Sequence, residues 1–345
     1  MKIAAFLRSA LAGMAVAAFG FAQPGAAQGN LVLYCSVQEE LCRAIVTAFE
    51  KETGIKVSMT RKSSGETYAQ IKAEAQNPKG DIWWGGTGDP HLQAAEEGLS
   101  EAYKSPNLAQ LHPWAIKVWE DSKNRTVGIY SGALGFGYNS KTLAQKKLPA
   151  PKCWADLLKP EYKDEVQVAD PNSSGTAYTL LATMVQIMGE EKGFEYLKAL
   201  HKNVNQYTKS GAAPAKAVSL GETAIGIVFM HDMVAASVEN PDVVTVAPCE
   251  GTGYEIGSMT IIKGGKNLAN AKKFYDFALT AKPQELGAKN KQLQMPSHKD
   301  AALPPKAPRL ADIKLINYNF NKYGSSAERK RLLSKWDKEV KSLPK

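Results

Sequence analysis

Past residue 27 this 345-residue chain has no apolar run long enough to cross a bilayer as a helix. It has no C-x-x-C pair, so structural zinc and thioredoxin-type chemistry both lack their usual ligand spacing. There is no G-x-S-x-G elbow, and the serine-rich turns have no base patterned near them, so a hydrolase has no activated nucleophile. No catalytic residue, no cofactor and no metal are therefore expected. Histidine is scarce, at 5 residues, and His91, His112, His201 and His298 show no ligand spacing; they read as surface or cap residues. Basic residues lie dispersed except at Arg329-Lys330-Arg331, and no nucleic-acid motif accompanies them.

What is present begins with a leader. Residues 1–27 read as a secretory signal peptide, with Lys2 and Arg8 at the basic end and an apolar core over 11–21. Small residues permit cleavage after Ala22 or Ala27, and the bulky Tyr34 before Cys35 argues against a lipid-modified cysteine. The mature protein is then expected to be soluble and exported. Without Lys2 and Arg8 its net charge falls from +9 to +7, a mild bias towards anionic ligands. Four cysteines in an exported chain favour two disulfides among three possible pairings; the favoured set is Cys35 with Cys42 and Cys153 with Cys249.

The roughly 318 residues after the leader exceed one compact core and suggest two lobes. Strands at 31–34, 55–59 and 81–84 alternate with helices at 38–53, 66–76 and from Asp89-Pro90 to about 98. This β-α-β-α-β-α rhythm means a parallel, doubly wound α/β sheet, whose ligands sit at the carboxyl ends of the strands. Ser36, Ser63 and the Gly85–Gly88 turn all fall at such ends. Asp89 is read as a helix N-cap and Pro90 as the first helical residue. Similar strand-to-helix turns recur at Ser63-Ser64-Gly65-Glu66 and Asn172-Ser173-Ser174-Gly175-Thr176, each leaving backbone N–H groups free for an anion. Further on, strands are expected at 166–169, 224–229, 243–247 and 256–262, and a basic, exposed helix ends the chain.

Four motifs then carry a resemblance: Glu50-Lys-Glu-Thr-Gly-Ile55, Asp81-Ile-Trp-Trp-Gly-Gly-Thr-Gly-Asp-Pro90, Ala169-Asp-Pro-Asn-Ser-Ser-Gly-Thr176 and Glu250-Gly-Thr-Gly-Tyr-Glu-Ile-Gly257. Through them the chain resembles the periplasmic substrate-binding proteins of ABC transporters, in the group for ferric iron, phosphonates and sugar phosphates. The resemblance implies the class II two-lobed fold, each lobe a mostly parallel sheet flanked by helices, closing on a small molecule. It also implies a monomer that delivers its ligand to an inner-membrane permease. The expected division is 28–130 plus about 258–305 for lobe 1, and 131–257 plus about 306–345 for lobe 2.

Iron-binding members of that group use an adjacent tyrosine pair with a His and a Glu. Here Gln38 stands where the His would be, Gly86 where the Glu would be, and no Tyr-Tyr dipeptide exists. A hard ferric ion needs anionic oxygen donors, so iron is the weaker reading. The sugar-phosphate branch fits better. It implies phosphate against Ser36, Ser63, Ser64, Thr87, Ser173, Gly175 and Thr176, with His231, Asp232 and Glu255 on sugar hydroxyls. Trp83 and Trp84 are read as core and cleft wall, and Glu250 as solvated. A 2-aminoethylphosphonate receptor stays open, because an acidic cluster serves an ammonium group as well as a polyol.

Overall fold

The computed structural model describes residues 29–344; the expected signal peptide lies outside them. The first third of the chain alternates strand and helix. β1 (Asn30–Cys35), β2 (Lys56–Arg61) and β3 (Ile82–Thr87) run parallel, with α1 (Glu39–Thr53), α2 (Ser64–Ala73) and α3 (Gly88–Glu96) between and after them. α1 shows why these segments fold as they do. Leu41, Ile45 and Phe49 recur at helical spacing and are buried, Glu39 and Glu40 face the positive N-terminus, and Gly54 ends the helix at φ 72°. Fully burying a side chain such as Phe49 contributes about 1.5–3 kcal/mol.

After α4 (Pro113–Asp121), β4 (Val127–Asn139) is a single strand that serves both lobes. The chain continues through α5 (Ser140–Lys146), β5 (Val166–Ala169), α6 (Gly175–Met188), α7 (Glu190–His201) and β6 (Val204–Thr208). Next come α8 (Ala213–Leu220), β7 (Ile225–Phe229), α9 (Met230–Glu239), β8 (Val243–Val246) and β9 (Tyr254–Ile261). α10 (Leu268–Ala278), α11 (Ala281–Lys289), β10 (Met295–Pro296), α12 (Phe320–Tyr323) and α13 (Ser326–Trp336) complete it.

The strand order is β2-β1-β3-β9-β4-β7-β5-β6, with β8 and β10 also on β4. β4 pairs with β9 from Val127 to Ala133 and with β7 from Leu134 to Tyr138, so the chain passes between lobes in mid-strand. One core holds Leu33, Phe49, Ile82, Met259 and Phe274; the other holds Trp154, Tyr178, Phe194, Ile227 and Trp336. The architecture is the two-lobed α/β form that the motifs implied. Disulfides join Cys35 to Cys42 and Cys153 to Cys249.

Several local expectations are corrected. β3 runs through Gly85 and Gly86, at φ 81° and 85°, instead of stopping at Trp84. Thr87, not Asp89, is the N-cap of α3. Glu250 is no solvated acid: it accepts from the N–H groups of Trp154 and Ala155 at 2.8 and 2.9 Å. His91, His201 and His298 are buried. His91 stacks on Trp83 and binds Thr260 Oγ1 and the Gly85 carbonyl, and burial pushes its pKa down to about 3. The last helix is not simply exposed, since Arg329, Leu332 and Trp336 are buried.

Candidate ligand-binding cleft

The carboxyl ends of β1, β2, β3, β5 and β7 meet in one small polar cavity between the lobes. Lobe 1 contributes Ser36, Gln38, Arg61, Ser63, Ser64, Gly86 and Thr87, and lobe 2 contributes Ser174, Gly175, Thr176, Gly211 and Ala212. His231, Asp232 and Glu255 line the same cavity, as do Tyr130 and Gln294.

The lobes touch across it. Gln38 Nε2 donates to Asp232 Oδ1, Gly65 N donates to Ser173 O at 3.0 Å, and Arg61 Nη2 donates to Ser210 Oγ at 3.4 Å. Thr87 Oγ1 packs so closely on Gly175 that a Cβ there would lie 1.8 Å from it. This is a closed arrangement.

Its lining is of two chemical kinds. Around Ser63, Ser64, Thr87 and Thr176 the lining is hydroxyls and helix starts. α6 has no side-chain cap, and its first ladder bond runs from Tyr178 N to Ser174 O. The N–H groups of Gly175, Thr176 and Ala177 therefore have no acceptor within the helix, and its dipole favours an anion in front of them. Gly211 and Ala212 bring the start of α8 to the same place. Arg61 supplies the one guanidinium in the lining, fixed by donation from Nε to Val37 O at 2.8 Å.

The second kind is acidic. His231 Nε2 lies 3.7 Å from Asp232 Oδ1 and 3.9 Å from Glu255 Oε1. Burial holds the imidazole neutral, with its pKa down at about 3. Burial raises Asp232 to about 7 against the pull of Gln38 and Arg61. Glu255 is pushed well above the carboxylate range by burial and then by Asp232 and Asp89. Gln38 and Thr87 both line the cavity, and Gln38 Oε1 and Thr87 Oγ1 have no hydrogen-bond partner among the described residues. Acceptors, a neutral imidazole and an unsatisfied amide together suit a ligand rich in hydroxyls.

Ser173 does not face the cavity. Its Oγ donates to the carbonyls of Asp170 and Lys209, a local turn contact that points it away, and Ser174 takes the inward position. Arg61, Tyr130 and Gln294 were not singled out from the sequence. Arg61 had a usable signal, since it ends β2 two residues before Ser63. Tyr130 lies in mid-strand on β4 and Gln294 in an irregular segment, so neither carried one. Among the described residues the one cluster with metal-ligand spacing is Cys153, Cys249 and Glu250, whose cysteines are disulfide-bonded.

An uncharacterized protein of Haemophilus influenzae is 44% identical over 342 residues, 99% of this chain and 98% of its own. A structure of the periplasmic binding protein AfuA from Actinobacillus pleuropneumoniae, with exogenous fructose 6-phosphate bound, aligns at 45% identity and a TM-score of 0.88. That alignment covers 91% of this chain and 99% of the other. A Salmonella paratyphi A periplasmic protein, provisionally named for 2-aminoethylphosphonate binding, is 29% identical over 69% of this chain and 68% of its own. Residues 78–322 match a family described as bacterial extracellular solute-binding protein, and this chain belongs to it.

Proposed function

We propose that the protein is the periplasmic receptor of an ABC importer and that its cargo is a phosphorylated polyol of hexose size. The observation that carries this reading is that one closed cavity is lined both by hydroxyls with helix starts and by a carboxylate–imidazole cluster. The first neutralises a dianion with backbone donors, Arg61 and the hydroxyls of Ser63, Ser64, Thr87, Ser174 and Thr176. The second exchanges hydrogen bonds with sugar hydroxyls through Asp232 and Glu255, whose raised pKa values let a protonated carboxyl donate as well as accept, with His231 and Gln38 beside them. The fructose 6-phosphate bound to AfuA supports the same reading. The leader, the two disulfides and the periplasmic relatives support the location, and delivery to a permease follows from the receptor class.

Calorimetry with fructose 6-phosphate tests it. Asp232→Ala and Ser174→Ala should each weaken binding about ten- to a hundredfold, the loss of one charge-assisted hydrogen bond of roughly 1.5–3 kcal/mol. Inorganic phosphate affinity should fall only in Ser174→Ala. The buried carboxyls favour one competing cargo, 2-aminoethylphosphonate, whose ammonium would sit against Asp232 and Glu255. Wild-type protein that ignores fructose 6-phosphate and binds the phosphonate would replace the polyol reading with that one.

Ferric citrate should develop no tyrosinate–iron colour with the purified protein. Tyr130 is the one tyrosine in the lining; its oxygen accepts from Gly86 N at 2.7 Å, and burial holds its pKa well above the usual phenol value. No acidic side chain fits at Gly86, where φ is 85° and a Cβ would lie 2.3 Å from Ser64 Oγ. A stoichiometric coloured complex at neutral pH would overturn this assignment.

A further inference from the structure

Helix α13 belongs to one lobe by its packing and reaches into the other with its first turns. Leu332 and Trp336 are buried in the second core, and Arg331 makes a two-pronged contact with Glu190 of α7 at 2.8 and 2.7 Å. The opposite face of the helix start grips α3 of the first lobe. Ser326 N donates to Glu96 at 2.6 Å, Lys330 pairs with Glu97 at 2.7 Å, and Arg329 Nη1 donates to Gln93 Oε1 at 2.7 Å.

Arg329 is the unusual member, a guanidinium only 2% exposed. It lies over the ring of Tyr178 of α6, 4.4 Å from the centroid, while its Nε and Nη2 have no hydrogen-bond partner among the described residues. Desolvating a cation costs several kcal/mol unless something repays it, and neither lobe's own core requires one here. A counter-charge is nearby in the first lobe. Asp89 is also buried, which raises its pKa to about 6 against the opposing pull of Arg329 and of Tyr318 O–H, which donates to it at 3.4 Å; it makes no direct salt bridge with Arg329. Cation and anion thus come from opposite lobes and are both buried, where their attraction is less screened than in water.

We propose that Arg329 is a positioning residue for cleft closure. It ties α3, which follows cavity-lining Thr87, to α6, which begins at cavity-lining Gly175 and Thr176, and so favours the closed form before any ligand arrives. Asp89 and Gln93 lie within two turns below Thr87, and Tyr178 one turn below Gly175. Holding these helices together therefore holds the two ligand surfaces at their binding separation.

The test uses Arg329→Met, which keeps the stem over Tyr178 and removes the charge. Lys51 on α1 and Lys216 on α8 are exposed and lie on opposite lobes, and all four native cysteines are in disulfides. Lys51→Cys and Lys216→Cys therefore take two spin labels at defined positions. In ligand-free protein, Arg329→Met should move the distance distribution towards longer separations. Saturating fructose 6-phosphate should restore the wild-type bound distance, with apparent affinity down about tenfold as the closed fraction falls about tenfold. An unchanged ligand-free distribution in folded Arg329→Met overturns the proposal. Should that variant fail to fold, Lys330→Glu, at an exposed site facing Glu97, must give the same lengthening, and no change there overturns it equally. The ligand arm rests on the sugar-phosphate reading, whereas the ligand-free arm does not. Failure of wild type to bind fructose 6-phosphate would sink that reading and leave this one standing.

Discussion

Gly175→Ala leaves a folded protein that binds its ligand at least about a hundredfold more weakly, a loss of about 2.7 kcal/mol or more. An ideal Cβ at this position lies 1.8 Å from Thr87 Oγ1, 2.8 Å from its Cβ and 2.9 Å from its Cγ2. Neither neighbour yields easily. Thr87 is buried and its N–H is held by Ser64 Oγ at 3.2 Å. The first turn of α6 is anchored by Ala177 and Tyr178 in the second core. The remaining relief is to part the lobes, which breaks the cavity and spares each lobe. Within the second lobe alone, alanine in a helix is better than glycine by about 0.8–1.0 kcal/mol. Thermal stability of the ligand-free variant should thus hold or rise slightly while affinity collapses. Calorimetry beside a melting curve reads both. Wild-type affinity in the variant would mean that ligand binding does not require this contact between Thr87 and residue 175.

The fold and much of the cleft lining were legible because they rest on local rules. Alternating apolar strands and capped helices name a doubly wound sheet, and the ends of those strands name where a ligand sits. Ser36, Ser63, Ser64, Thr87, Gly175, Thr176, His231, Asp232 and Glu255 all line the one cavity, having been read from turns or from family motifs. What was not legible depends on partners distant in sequence. Ser173 and Ser174 are alike as letters, and only the carbonyls of Asp170 and Lys209 decide which one turns inward. His91 has no ligand spacing because its partners, Trp83 and Thr260, come from two other strands. The basic run Arg329-Lys330-Arg331 hid the buried Arg329, since periodicity shows which face is apolar and not which cation another lobe will cover. Gly85 and Gly86 look like a turn, yet glycine at positive φ also lets a strand continue while lying flat against Val37 and Ser64.

Replacing Cys153 and Cys249 by alanine should cost roughly twice the stability lost when Cys35 and Cys42 are replaced. The separations are 96 and 7 residues. In the chain-entropy account these loops are worth about 4.7 and about 2.4 kcal/mol, because the longer bridge removes more freedom from the unfolded chain. The folded state around the longer bridge supports that assignment. Glu250 holds Trp154 N and Ala155 N, Trp154 Nε1 donates to Gly251 O at 3.1 Å, and Cys249 N donates to Lys152 O at 3.2 Å. Those contacts keep the two segments together without the sulfur bond, so the loss falls on the unfolded side. Alanine is chosen over serine because Cys35 and Cys42 are fully buried, and a hydroxyl there would add an unpaired polar group worth about 1–3 kcal/mol. For a mature chain of this length, unfolding entropy near 2.1 cal/mol/K per residue converts 1 kcal/mol into roughly 1.5 °C. The melting temperature should therefore drop by about 7 °C in the first variant and about 4 °C in the second. Equal drops, or a larger one for Cys35 and Cys42, would show that packing at the buried bridge outweighs loop closure.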